Sequence, residues 1–199
     1  MATAPTLERP TLTMPAAEAD ALHAAYGGAA TVLEYGSGGS TVLAAEMPGK
    51  RVFSVESDQA WALGMQGWFA AHPPASAVVI HWVDLGPTKE WGMPVNDRGW
   101  RRYCHYPLSV WERADFQHPD VVLVDGRFRA ACLLTVLVRI TRPVLVLFDD
   151  YKGRAAYHGV EEFVKPVALI GRMARFELEP SALPAGKLLR FMDFFTRPN

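Results

Sequence analysis

The stretch Val32-Leu-Glu-Tyr-Gly-Ser-Gly-Gly-Ser-Thr41 decides the order of the first structural elements. The apolar run at its start predicts a short buried strand. The glycines after it, Gly36 and Gly38, allow a tight turn and the close approach of a ligand to the backbone. The helix predicted behind them, Ser40–Met47, would point free N–H groups at that ligand. The stretch therefore predicts a strand, a ligand-binding glycine loop and a helix.

This loop lies in a chain whose predicted strands and helices alternate. Helices are expected at Ala16–Tyr26, Ser40–Met47, Asp58–Ala71, Arg127–Ile140 and Ala155–Lys165, and strands at Thr31–Glu34, Arg51–Val55, Ala77–Val83, Asp120–Val124 and Pro143–Phe148. Such alternation is typical of a doubly wound α/β fold, in which helices cover both faces of a mostly parallel sheet.

The alternation ends near the C-terminus. Arg172–Glu179 and Lys187–Thr196 both have the composition of strands, and only the seven residues Pro180–Gly186 separate them. Seven residues are too few for a crossover helix, so the two strands should pair as an antiparallel hairpin. The expected sheet therefore has seven strands, the last two of which form a C-terminal hairpin.

An acid follows the second predicted strand, twenty residues after Gly36. This residue, Glu56, could accept two hydrogen bonds from the hydroxyls of a ribose. A dinucleotide loop of the GxGxxG type needs a third glycine for helix packing, and Thr41 occupies that place. A loop for S-adenosylmethionine instead follows an acid that serves the cationic methionine end of the cofactor, as Glu34 precedes Gly36.

In these features the chain resembles the class I S-adenosylmethionine-dependent methyltransferases, from about residue 30 to the C-terminus. The acid-x-Gly-x-Gly pattern of that family is matched by Glu34, Gly36 and Gly38, with Ser40 where a third glycine often stands. A terminal antiparallel hairpin is a family hallmark as well. The resemblance implies acids for the ribose, for the adenine and after the fourth strand. The cofactor-binding residues that it implies are Glu34, Gly36, Ser37, Gly38, Glu56, Asp84 and Asp125.

Three acids, Asp125, Asp149 and Asp150, follow predicted parallel strands and should lie at one edge of the sheet. Crowded carboxylates repel one another unless hydrogen bonds or a cation relieve them, and oxygen-rich clusters suit Mg²⁺ or Ca²⁺. The pattern is similar to the metal-dependent catechol-type O-methyltransferases, with an acid where their amide would be. We favour the simpler interpretation, in which these acids cap loops or contact the cofactor and hold no metal; a divalent metal ion is the alternative that is not favoured.

Residues for the methyl acceptor are harder to identify. In-line transfer from a sulfonium needs mainly alignment, exclusion of water and sometimes a base. The catalytic candidates are His158 and Asp125, and His105 is a further candidate for the base. Lys152 and Arg154 are candidate anion-binding groups, although a solvated loop would explain them equally well.

The segment 85–119 is too long for a plain connection. Its aromatic residues include Trp91, Trp100, Tyr103, Tyr106 and Trp111, with Arg98, Arg101 and Arg102 between them. Aromatic rings with arginines can stack on nucleic-acid bases, or they can close as a lid over a small acceptor. The formal net charge of -1 favours the lid, and with it a small-molecule acceptor rather than a nucleic acid.

The composition limits the other possibilities. A length of 199 residues suits one domain, expected at 15–199 after an N-terminal arm at 1–14. The two cysteines, Cys104 and Cys132, form no CxxC pair, which indicates reduced thiols in a cytoplasmic protein. The apolar runs are only of strand length, so neither a membrane span nor a signal peptide is expected. A homo-oligomer is left open.

Three functions are compatible with the sequence. The first is an S-adenosylmethionine-dependent methyltransferase acting on a small molecule whose identity, and whose accepting atom, the sequence does not name. The second is a methyltransferase-like binding protein without turnover. The third is a nicotinamide-dependent oxidoreductase, which Thr41 and the lack of a second substrate domain disfavour.

Overall fold

The computed structural model describes residues 7–198 and shows an α/β fold built on a seven-stranded sheet. Its strands are β1 (Thr31–Tyr35), β2 (Arg51–Glu56), β3 (Ala77–Trp82), β4 (Val121–Val124), β5 (Val144–Phe148), β6 (Ala168–Ile170) and β7 (Met173–Leu178). The strand order is β3-β2-β1-β4-β5-β7-β6. Strands β1 to β5 are parallel, and β7 is antiparallel to both of its neighbours. The predicted mostly parallel α/β fold is therefore confirmed.

Helices cover both faces of this sheet. The α-helices are α1 (Ala16–Gly27), α2 (Gly39–Glu46), α3 (Gln59–Ala71), α4 (His105–Leu108), α5 (Arg129–Arg139) and α6 (Leu188–Asp193). The 3₁₀ turns are Glu90–Gly92, Asp97–Arg102, Ser109–Glu112, Ala155–Glu162, Ala185–Lys187 and Phe194–Thr196. No helix within residues 7–198 is long and apolar enough to cross a membrane.

The two faces have separate cores because side chains alternate along each strand. On β1, Val32 packs in the cluster that contains residues of α1 and α2, whereas Leu33 packs in the cluster that contains α5 and part of the segment 85–119. All five residues of β1 are buried, as expected for a parallel strand covered on both sides.

The antiparallel hairpin lies one element earlier in the chain than the sequence predicts. It consists of β6 and β7, joined by a tight turn in which Gly171 adopts a left-handed conformation with φ 56°. The sheet has seven strands, as expected, but its sixth is the short strand β6, which the sequence did not predict, and the prediction of a last strand at Lys187–Thr196 is wrong.

The segment Lys187–Thr196 is helical because its apolar side chains recur at helical spacing. Phe191 and Phe195, four residues apart, are both buried, whereas Leu189 is 80% exposed. Burial at i and i+4 is the signature of a helix with one face on the core, and a strand would bury every second residue.

Residues 7–14 of the expected N-terminal arm pack against α2 and α3, and residues 1–6 lie outside the described part of the chain. Leu7 joins the apolar cluster of α3, and Leu12 joins the cluster of α1. The arm passes so close to the start of α2 that a Cβ atom at Gly39 would lie 2.1 Å from the carbonyl carbon of Thr11. A glycine is thus required where the arm crosses the helix.

Candidate functional site

The glycine loop is wedged between the carboxyl ends of β2 and β4. Gly36 has φ 107°, and its N–H donates to the carbonyl oxygen of Val55 at 2.8 Å. A Cβ atom at Gly36 would lie 2.8 Å from the backbone nitrogen of Gly126, so this position has no room for a side chain. Beside it, Gly38 has no neighbouring atom within 4 Å of where its Cβ would be. The loop is therefore packed tightly against the strand ends at Gly36, whereas at Gly38 it leaves open space in which a ligand could lie.

We expect Gly36→Ala to destabilise the fold by about 3 kcal/mol, because strained backbone and overpacking each cost about 1–3 kcal/mol. The melting temperature should fall by roughly 6–12 °C for a protein of this size. Gly67→Ala in α3 is the matched control, because its Cβ would meet no atom within 4 Å. That variant should melt at or above the wild-type temperature. A Gly36→Ala protein as stable as wild type would contradict the close packing at this loop.

Glu34, the acid that precedes the loop, is fully buried. Its carboxylate accepts hydrogen bonds from the Tyr26 hydroxyl at 2.6 Å and the Thr41 hydroxyl at 2.5 Å. Burial raises the pKa of Glu34 above its usual range. Because both oxygens face these hydroxyls, Glu34 braces the loop between α1 and α2. Thr41, whose presence in the sequence argues against a dinucleotide loop, is one of the two partners.

Glu56, the candidate ribose acid, ends β2 directly beside the loop. One carboxylate oxygen accepts from the N–H groups of Ser57 at 2.7 Å and Asp58 at 2.8 Å, and the other accepts from Ser37 N–H at 3.3 Å. Burial raises the pKa of the Glu56 carboxyl. The structure thus joins two sequence-predicted residues, Ser37 and Glu56, through a direct contact at the ends of neighbouring strands.

A turn of the segment 85–119 covers Glu56. The Ser57 hydroxyl donates to the carbonyl oxygen of Gly92 at 2.9 Å, and a Cβ at Gly92 would lie 3.1 Å from a Glu56 carboxylate oxygen. Only 7% of Glu56 is exposed as a result. Trp91, next to this contact, has φ 62°, which is uncommon for a bulky residue.

Asp84, the candidate adenine acid, is tied to the same segment. It forms an ion pair with Arg102 and accepts a hydrogen bond from Gly86 N–H at 2.8 Å. About half of the Asp84 side chain is exposed, so it lies at the rim of the site.

The aromatic residues of 85–119 divide into an exposed and a buried group. Trp91, between the paired strands Thr88–Lys89 and Met93–Pro94, is 85% exposed, and Trp100, in the 3₁₀ turn Asp97–Arg102, is 57% exposed. The buried rings belong to the core below and are Tyr103, Tyr106 and Trp111. We call the stretch that carries the exposed rings, from Trp91 to Trp100, the outer part of the segment. This outer part is the portion available as a lid.

The three acids at the ends of β4 and β5 are paired with arginines. Asp125 lies 3.0 Å from Arg129, and Asp150 lies 2.7 Å from Arg154. Asp149 is held by two hydrogen bonds from Arg172, at 2.6 and 3.0 Å. Among residues 7–198, no group of three acid, histidine or cysteine side chains is arranged to hold a metal ion.

Asp125 is partly exposed, and its carboxyl has a raised pKa. The pKa of its carboxyl is raised to about 6, mainly by burial, with Arg129 lowering it and the neighbouring Asp149 and Asp150 raising it. Its side chain is still 35% exposed. An acid with a pKa near neutrality at this edge could accept a proton from a bound acceptor.

The candidate base His158 stands apart from these groups. It is exposed in the 3₁₀ turn after β5, and its Nε2 lies 3.1 Å from the carbonyl oxygen of Tyr151. His105 is exposed at the start of α4, and Lys152 is exposed in the loop after β5. Of the residues proposed for the acceptor, the structure brings Asp125 and Arg154 into one ion-pair cluster, linked by Arg129 and Asp150.

Comparison with known proteins shows a strong similarity to a solved structure. The crystal structure of a methyltransferase-like protein from Silicibacter pomeroyi DSS-3 is 56% identical to this chain, with a TM-score of 0.92. The alignment covers 96% of this chain and 99% of that one. No family model and no curated protein matches the chain.

More distant structures share the fold. The O-methyltransferase TomG from Streptomyces achromogenes, in complex with S-adenosylmethionine, is 18% identical with a TM-score of 0.57, over 85% of this chain and 82% of that one. An O-methyltransferase from Bacillus cereus, in complex with S-adenosylhomocysteine, is 13% identical with a TM-score of 0.50, over 77% and 64% of the two chains.

Proposed function

Because the chain belongs to the class I S-adenosylmethionine-dependent methyltransferases, we propose that it transfers a methyl group from that cofactor to a small molecule bound beneath the outer part of residues 85–119. The observation that carries this proposal is the contact between Ser37 N–H and the Glu56 carboxylate. This contact holds the glycine loop beside Glu56, the candidate ribose acid, at the carboxyl edge of the sheet, where open α/β sheets bind ligands.

The residues at this edge fit the cofactor. The open space above Gly38 would receive its methionine part, Glu56 would hold the ribose and Asp84 would face the adenine. Glu34 supports the loop from within rather than meeting the cofactor directly. When bound, S-adenosylmethionine supplies a methyl group on a positively charged sulfur, and the protein has to align the acceptor with it and exclude water.

The position of the exposed Trp91 ring favours a small acceptor. Trp91 adjoins the turn over Glu56, so a flat or apolar acceptor held there would be close to the cofactor. A single-stranded nucleic acid is the second candidate, supported by the Arg101 guanidinium, which lies 5.6 Å from the Trp100 ring centroid. The net charge of -1 weakens this second candidate.

Two measurements distinguish the candidate functions. Calorimetric titration with S-adenosylmethionine and with NAD should show binding of the former alone; NAD binding would favour an oxidoreductase. Turnover should then be measured with small phenols, amines, carboxylic acids and a short RNA. Methylation of a small molecule supports the proposal, whereas methylation of RNA alone overturns the acceptor class. Cofactor binding without turnover on a broad panel favours a binding protein.

We further expect methyl transfer to depend on the ionisation of Asp125. A carboxylate accepts a proton only when it is ionised, which requires a pH above its pKa of about 6. Activity at saturating cofactor should therefore be constant above pH 7 and fall about tenfold per unit below pH 6. Asp125→Asn should lower the plateau and abolish this inflection, and Asp20→Asn, an exposed acid of α1, should retain both. An inflection that survives in Asp125→Asn would assign the proton to another group, of which His158 is the next candidate.

A further inference from the structure

Arg129 is enclosed at the start of α5, with only 4% of its surface exposed. Each of its guanidinium nitrogens has a partner. Nε donates to the carbonyl oxygen of Gly126 at 3.0 Å, and Nη1 donates to that of Asp149 at 2.7 Å. Nη2 lies 3.0 Å from the Asp125 carboxylate, and Nη1 lies 3.5 Å from that of Asp150. The guanidinium is therefore a fixed part of the structure that links the ends of β4 and β5.

The backbone on both sides of this guanidinium is strained. Phe128, the residue before Arg129, is fully buried with φ 51°, and Asp150 has φ 57°. The Phe128 ring packs against Tyr103 and Tyr106, at centroid distances of 5.0 and 5.8 Å. Such conformations persist only where the surrounding structure enforces them, and they cluster at functional sites.

The charges in this cluster leave little room for a metal ion. A divalent cation between the ends of β4 and β5 would need oxygens of Asp125 and Asp150 as ligands. Both carboxylates already face Arg129, and Asp150 also pairs with Arg154. A metal placed there would meet a buried positive charge, so these residues do not fit a metal site of the catechol-type O-methyltransferases.

We propose that Arg129 is a positioning residue which takes the place of a divalent metal and holds the Asp125 carboxylate toward the cleft. One Asp125 oxygen is anchored by Arg129, while 35% of the side chain remains exposed. Methyl transfer then needs no metal ion. This inference rests on the proposed methyltransferase activity for its catalytic part, but the replacement of the metal can be measured without turnover.

The first test measures the binding of Mn²⁺ to the protein in the absence of cofactor and acceptor. The concentration of unbound Mn²⁺ is determined from its electron paramagnetic resonance signal. Wild type and the control Arg175→Gln, which removes an exposed arginine of β7, should leave Mn²⁺ free. Arg129→Gln removes the cation that pairs with Asp125, although Asp150 keeps its pairs with Arg154 and Arg172, and the variant should bind Mn²⁺ about tenfold more tightly than wild type, or about 1.4 kcal/mol. One Mn²⁺ bound per wild-type chain and lost in Asp125→Asn would overturn the proposal, and this measurement does not depend on whether Arg129→Gln folds.

The second test is turnover. Wild-type kcat should be unchanged by EDTA. Arg129→Lys, the conservative variant, and Arg129→Gln should lower kcat progressively while the KM for S-adenosylmethionine changes less than about twofold. Loss of wild-type turnover in EDTA, or a wild-type kcat in Arg129→Gln, would overturn the proposal. If no acceptor is methylated but Mn²⁺ behaves as expected, the proposed function fails and the replacement of the metal by Arg129 stands.

Discussion

Replacing Trp91 and Trp100 together by alanine is expected to lower kcat/KM for the acceptor by about a hundredfold, or about 2.7 kcal/mol. Both rings are largely exposed, and a large aromatic surface covered by a ligand contributes free energy of this order. The affinity for S-adenosylmethionine and the melting temperature should change little, because neither ring belongs to the core.

The choice of these two residues follows from how the segment 85–119 packs. Removing all of Trp91–Tyr106 would also remove the buried rings of Tyr103 and Tyr106 and would unfold part of the core. Leu189→Ala in α6, an equally exposed apolar residue far along the chain, is the control and should retain wild-type kinetics. Full activity in the double tryptophan variant would mean that the rings serve another purpose, such as a subunit contact.

The second large effect is expected at Glu56. Hydrogen bonds to a charged group contribute about 1.5–3 kcal/mol each, so Glu56→Ala should weaken S-adenosylmethionine binding at least tenfold. Calorimetric titration of the folded variant measures this directly.

The alanine variant has a second consequence that must be separated from the first. Glu56 also accepts hydrogen bonds from the N–H groups of Ser57 and Asp58, which alanine would leave unpaired. Glu56→Gln keeps a carbonyl oxygen for these donors and should be more stable than Glu56→Ala while still binding the cofactor less tightly than wild type. A folded Glu56→Gln protein with unchanged affinity would remove Glu56 from the ribose site.

The loop and its acid could be located from sequence because each depends on local chemistry. Gly36 needs a conformation that other residues avoid, and Glu56 comes directly after a buried apolar strand. The carboxyl ends of parallel strands share one edge, so a correct order of elements was enough to bring Gly36 and Glu56 together.

The ion pairs of the acids and the contact of residues 85–119 with the Glu56 region join residues that are far apart in sequence. The sequence alone therefore could not predict them. Arg172 reaches Asp149 across 23 residues, and Gly92 meets Ser57 across 35. Arg129 is the exception, because its spacing of four residues from Asp125 is a local pattern that the sequence itself contains. The prediction of the last strand is wrong for a different reason: a short run with Phe191 and Phe195 satisfies both the strand and the helix pattern until burial is known.

The contact between Gly92 and Ser57 has a kinetic consequence. Glu56, which we propose holds the ribose, is 7% exposed next to this contact, so under that proposal a nucleoside would reach its carboxylate only when the turn moves aside. Each catalytic cycle would then include two openings of the turn, one to admit the cofactor and one to release the product nucleoside. The slower of these openings would set an upper limit on the turnover number that faster chemistry at the methyl group could not raise.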